Sequence, residues 1–157
     1  VDCSEALSEL SAYTLSHGDP EFIHQHVVDA YGAAHAGFQG SVRKQPTASN
    51  VGLAFSLLGL YLACEKGYTG RQVQLAHIGL ARWRKQYPKP DASPGRASVT
   101  VVDVMGAAPG EDRDRMLKQW ARAVWASWKP AHQWTRALWD EFERARPDGD
   151  WKRAGVR

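Results

Sequence analysis

The sequence predicts an all-α protein, a single-domain bundle of about five or six helices with a tryptophan-rich C-terminal helical region. Apolar residues recur at helical spacing over long stretches, most regularly at Leu117, Trp120, Ala121, Val124, Trp125 and Trp128. The one segment that invites a strand, SVTVVDVMG, has no second strand to pair with. A length of 157 residues, 43% hydrophobic and 24% charged, suits one core of fair size and fits neither a disordered nor a membrane-spanning composition.

A first amphipathic helix is expected after Ser4, a candidate N-cap, with Leu7, Leu10, Tyr13 and Leu15 as its apolar residues and a stop near His17 and Gly18. Asp19 is then expected to cap a second helix, with Pro20 at its first position, Glu21 favourable to its dipole and Gly37 as its stop. GFQGSVRKQPTASN reads as a loop. Ser49 caps a third helix whose nearly all-round apolar surface from Val51 to Leu62 implies a buried central position, closed by Gly67. Thr69 opens a fourth, with Val73, His77, Leu80 and Trp83 at helical spacing before Pro88. The three prolines of YPKPDASPG impose a loop or extended connection, and Thr100 followed by Val101, Val102 and Asp103 fits a capped helical turn. A long helix then carries the tryptophan stripe, Pro130 kinks or restarts it, and Thr135, Leu138, Trp139 and Phe142 continue a buried face. The helical domain is expected to cover residues 1–143, with a basic tail over 144–157.

The formal charge of +3 is mild, and its basic residues gather at Arg71–Lys89 and in the tail without a recognition motif, so nucleic acid is not an expected partner. The longest apolar stretch, VGLAFSLLGLYLAC, is 14 residues long and too short to span a bilayer. Two cysteines far apart, Cys3 and Cys64, with no secretory pattern at the start of the sequence, lead to the expectation of a reducing, cytoplasmic setting. Cys64 reads as a small buried hydrophobe.

The stretch HQHVVDAYGAAH holds three of the six histidines. At about 100° per residue, His24, Val28, Tyr31 and His35 form one stripe, expected to face inward, while His26 and Asp29 fall off it and pair on a more exposed face. His24 and His35 stand about 16 Å apart along the axis, too far to share one ion. Folding the first two helices back about the Gly18–Pro20 turn brings Cys3 opposite His35 and Leu7 opposite Tyr31, and an antiparallel third helix brings Cys64 and Glu65 towards His24. Two clusters result. One, of Cys3, Tyr31 and His35 with His132 as a recruit, has soft and borderline ligands suited to zinc, with Cys3, His35 and His132 as the metal ligands. The other pairs His24 with Glu65, a carboxylate orienting an imidazole for acid–base work or a plain buried ion pair. Tyr31, His24 and Glu65 are thus the catalytic candidates, while His17 and His77 read as a helix-end and a packing residue.

DPEFIHQHVVDAYGAAH, LLGLYLACEKG, SVTVVDVMGA and WARAVWASWKPAH together resemble a bacterial family of small helical proteins known only as a domain of unknown function. The resemblance runs from Cys3 to about Trp139 and rests on His24, Asp29, Tyr31, His35, Glu65, Trp125, Trp128 and His132. His26 stands where an apolar residue is usual. The resemblance implies an all-helical single domain of bacterial type, carries no activity, and adds weight to His24, Tyr31, His35 and His132 as a set.

The leading expectation is a small intracellular protein whose His/Cys/Tyr-lined pocket takes a small molecule, with zinc as a cofactor activating water for hydrolase- or lyase-type chemistry. Its rivals are a non-catalytic interaction module that binds a protein partner through the tryptophan-rich region and basic tail, and a metal-free small-molecule enzyme using His24 and Glu65.

Overall fold

The computed structural model describes residues 2–36 and 49–147, together with 149 and 152. It is all-helical, with no strand among the described residues. The helices are α1 (Cys3–Ser16), α2 (His24–His35), α3 (Ser49–Glu65), α4 (Gly70–Trp83), α5 (Val101–Gly106), α6 (Glu111–Ser127) and α7 (His132–Ala145), with a 3₁₀ turn at Lys129–Ala131 between the last two. None is long and apolar enough to cross a membrane. The expected stop at Gly37, the Ser49 side chain and most of the basic tail lie outside the described residues.

Local sequence accounts for most boundaries. Thr69 and Thr100 each close a capping box, accepting from the backbone N–H of Gln72 and Asp103 while those side chains accept from the capping residue's own N–H. Gly67, with φ +69°, ends the α3 segment in the left-handed region that a side chain would resist. Pro130 sits in the 3₁₀ turn, so the chain breaks and restarts there as α7. Two starts differ from expectation. The cap of α1 is Asp2, which accepts from Glu5 N–H, not Ser4. The Asp19–Pro20 segment is a turn and not a first helical turn: Asp19 takes the N–H groups of Glu21 and Ile23, and Phe22 lies at φ +55°, which no continuous helix allows. α2 therefore begins at His24.

α3 is the central helix, buried along Leu57, Leu58, Leu60 and Leu62 and in contact with α2, α4, α6 and α7. α6 contributes Leu117, Trp120, Ala121, Val124 and Trp125, and α7 contributes Thr135, Leu138, Trp139 and Phe142, the faces that their spacing predicts. Trp128, just past α6, is buried as well and donates its indole N–H to the carbonyl of Ala33 at 3.0 Å, tying the end of α6 to α2. On α1 the core face is Ala6, Leu10 and Thr14, an i, i+4, i+8 line, and Leu15 is left 57% exposed.

The main departure is the orientation of α2. Its buried residues are Val27, Asp29, Ala30 and Ala33, whereas Val28, in the middle of the expected inward stripe, is 48% exposed. Size explains the choice of face. α2 lies among α1, α3, α4 and α6, and small residues let it approach α3 closely. A Cβ on Gly32 would stand 2.5 Å from Ser56 Oγ, and one on Gly59 would stand 2.0 Å from Asp29 Oδ2. Of the expected stripe, Val28, Tyr31 and His35 are turned towards a groove, and Asp29, expected on the surface beside His26, is driven into the interior.

Candidate functional site: a cleft between α2, α3 and α4

The groove beside α2 is a cleft of about 520 Å³ whose walls include Gln25, Asp29, Tyr31 and His35 of α2, Phe55 and Ser56 of α3, and His77 of α4. Its polar centre is Asp29, only 2% exposed. Gln25, one turn earlier on the same helix, donates from Nε2 to Asp29 Oδ1 at 3.3 Å and reaches His77 Nδ1 at 3.4 Å, so the two hydrogens of one amide bridge the carboxyl and the imidazole. His77 Nε2 bonds the carbonyl of Phe55 at 2.9 Å. That bond fixes the tautomer: Nε2 carries the hydrogen, and Nδ1 presents its lone pair to Gln25.

Burial sets the charge state of both groups. It raises the Asp29 carboxyl well above the ordinary carboxylate range, with the Gln25 bond acting weakly in the opposite sense. It lowers His77 to about 4, against a small upward pull from the Phe55 carbonyl. Burial thus favours the uncharged form of both groups, the carboxylic acid of Asp29 and the neutral imidazole of His77. The 4.0 Å between His77 Nε2 and Asp29 Oδ1 is therefore a contact in which burial works against an ion pair. Gln25 bonds Oδ1, and Oδ2 is buried and has no hydrogen-bond partner among the described residues. The Phe55 ring stacks on His77 with centroids 5.0 Å apart, and Tyr87 meets Phe55 edge-on, which holds the imidazole in place.

The structure brings two of the expected site residues into this cleft. Tyr31 and His35 stack on each other at 3.9 Å, and His35 Nδ1 bonds the carbonyl of Tyr31 at 2.9 Å. Cys3 is exposed at the start of α1, close enough to Tyr31 that its charge and that of Asp2 add to the burial that raises the phenol. His132 lies elsewhere: its ring stacks on Trp125 at 3.8 Å and its Nε2 bonds the Trp125 carbonyl at 2.7 Å. His24 and Glu65 are not brought together. His24 Nδ1 meets Thr14 Oγ1 at 2.9 Å across the α1–α2 turn, and Glu65 pairs with Arg136 of α7. Among the described residues no group of three or more His, Cys, Asp or Glu side chains stands where a metal ion could be held.

The family model DUF5946, a family of unknown function, matches residues 1–129. The chain belongs to DUF5946. The match takes in α1 to α6 and every wall of the cleft, and ends before α7 and His132. No curated protein and no solved structure matches the chain. In this DUF5946 protein the residues that sequence reasoning missed are Gln25, Ser56 and His77, which carry no motif spacing, and the buried placement of Asp29. One signal for the latter was present in the sequence: Gly59, in the middle of an otherwise bulky apolar helix, marks the gap that the carboxyl fills.

Proposed function

We propose that this protein binds a small, largely apolar molecule bearing one hydrogen-bond acceptor, such as a carbonyl oxygen, in the α2–α3–α4 cleft. Asp29 is its proton donor and His77 its proton acceptor. The observation that carries the reading is the buried Asp29 carboxyl with an unpartnered oxygen, an arrangement that costs stability and, because burial favours the protonated form, gains a hydrogen-bond donor. The Gln25 bonds are long, so a ligand that displaces the amide can set its acceptor oxygen against the Asp29 carboxyl and a hydrogen of its own towards the lone pair of His77 Nδ1. A half-turn of the carboxyl about χ2, a soft torsion, then presents the proton. Stacked Tyr31 and His35, with exposed Val28, supply an apolar wall for the rest of the molecule.

A donor and an acceptor side by side are equipped for proton transfer at a carbonyl compound, in the hydrolase or lyase class. The reading asks for no metal ion, because both proton-handling groups are side chains. The two free cysteines, exposed Cys3 and half-buried Cys64, agree with a reducing compartment such as a bacterial cytoplasm.

Saturation-transfer NMR with acetophenone, an apolar ring with one acceptor, tests the binding step. Wild type is expected to bind below neutral pH, and Asp29→Ala to bind about tenfold more weakly, the worth of one buried hydrogen bond. His24→Ala, outside the cleft, is expected to bind as wild type does. Equal binding by wild type and Asp29→Ala, or no binding by either, would overturn the reading.

A further inference from the structure

Five of the six histidines have a ring nitrogen engaged: His17, His35, His77 and His132 with backbone carbonyls, and His24 with Thr14. His26 is the exception. Its Nδ1 is buried and has no hydrogen-bond partner among the described residues. It lines a second pocket, of about 310 Å³, between α2, the end of α3 and α6, separate from the cleft described above. The opposite wall carries Lys118 and Arg122, one turn apart on α6, and neither has a carboxylate partner among the described residues. Both cations make themselves felt inside the pocket: Lys118 helps to lower His26, and Arg122 pulls down the thiol of Cys64 against its burial.

We propose that this pocket is a binding site for a small oxyanion, a phosphate or carboxylate group, held by Lys118 and Arg122 and by the imidazole of His26, which turns about χ2 to bring its buried, unpartnered Nδ1 into the pocket. The chemistry of each part asks for such a ligand. Two cations against one carboxylate, Glu21, leave the pocket net positive. A guanidinium offers paired donors that match two oxygens of a phosphate or carboxylate. The imidazole supplies a further donor once Nδ1 carries a hydrogen. Without a ligand, burial and Lys118 hold His26 down at about 4, with Asp19 pulling the other way; Cys64 and Tyr68 on the remaining walls are uncharged at neutral pH. A bound oxyanion reverses that balance by favouring the imidazolium. Binding therefore takes up a proton, and affinity rises as pH falls from neutral towards the free value of His26.

The test follows the imidazole nitrogens by ¹H–¹⁵N NMR at pH 6 and low salt, with inorganic phosphate in one titration, acetate in a second and chloride at matched ionic strength as control. Saturable movement of the His26 signals with phosphate or acetate but not chloride, and about tenfold weaker in the Lys118→Gln/Arg122→Gln double variant, is the expected result. Response to phosphate alone identifies a phosphate ligand, and response to acetate alone a carboxylate. Both substituted side chains are exposed, and unmoved His77 signals verify that the variant keeps its fold. No saturable shift at His26, or an unchanged affinity in the double variant, overturns the proposal.

Discussion

At the scale of single residues, folding shifts the proton affinities of Asp29 and His77 in opposite senses, each towards its uncharged form. Asp29 has its proton affinity raised by folding, so between its unfolded pKa and its higher folded value only the folded state holds the proton, and stability falls as pH rises through that window. Asp29→Asn removes this cost while keeping the shape. The variant is expected to be more stable than wild type at pH 7 and to lose that advantage near pH 4, as read by urea unfolding at the two values. His77 has the opposite sign: its folded value of about 4 lies below the unfolded 6.5, so its contribution is full above pH 6.5 and is withdrawn as pH falls towards 4. His77→Gln is expected to flatten the loss of stability over that range by up to about 3 kcal/mol. A stability profile of unchanged slope in that variant would show that the imidazole titrates normally.

At the scale of elements, the close crossing of α2 on α3 makes the site. Gly59→Ala places a methyl 2.0 Å from Asp29 Oδ2 and is expected to cost about 2 kcal/mol or more in unfolding free energy; adding Asp29→Ala, which empties the space, is expected to recover much of it. Strict additivity of the two would mean that the residues are not in contact. Gly70→Ala, at the start of α4, meets the backbone carbonyl of Phe22, which cannot rotate away, and no side-chain substitution should rescue it. This crossing also marks where the sequence stops being legible. Periodicity located α3, α4, α6 and α7 and their buried faces, because bulky apolar residues leave no second solution. On α2 the shared azimuth of His24, Val28, Tyr31 and His35 pointed to that side as the inward one, and the apolar residues themselves are spread around the helix. The helix chose the side where Ala30, Ala33 and Gly32 permit the tighter approach, and that choice depends on the shape of α3, which no local pattern of α2 encodes. Tyr31 and His35 were legible as site residues because they share a face. Gln25 and His77 were not, because only the meeting of α2 with α4 makes them neighbours.

At the scale of the whole molecule, buried tryptophans tie α6 and α7 into the core. Trp120, Trp128 and Trp139 are nearly or wholly buried, and Trp128 reaches across to the last turn of α2 through Ala33. Trp128→Phe keeps most of the apolar area and leaves that carbonyl without its donor. A loss of about 1–3 kcal/mol in global stability is expected, together with faster amide exchange at the C-terminal end of α2. A change confined to α6 would contradict this connection. α2 is thus fixed on one side by α6 and on the other by α3, and it lines two separate pockets, the Asp29–His77 cleft and the His26 pocket. The central claim is that burial favours the protonated form of Asp29, a hydrogen-bond donor. Carboxyl ¹³C NMR across a pH titration, with the Asp29 resonance assigned by its loss in Asp29→Asn, tests that claim most directly. The account predicts a midpoint raised well above that of an ordinary aspartate, and a midpoint near 4 would contradict it.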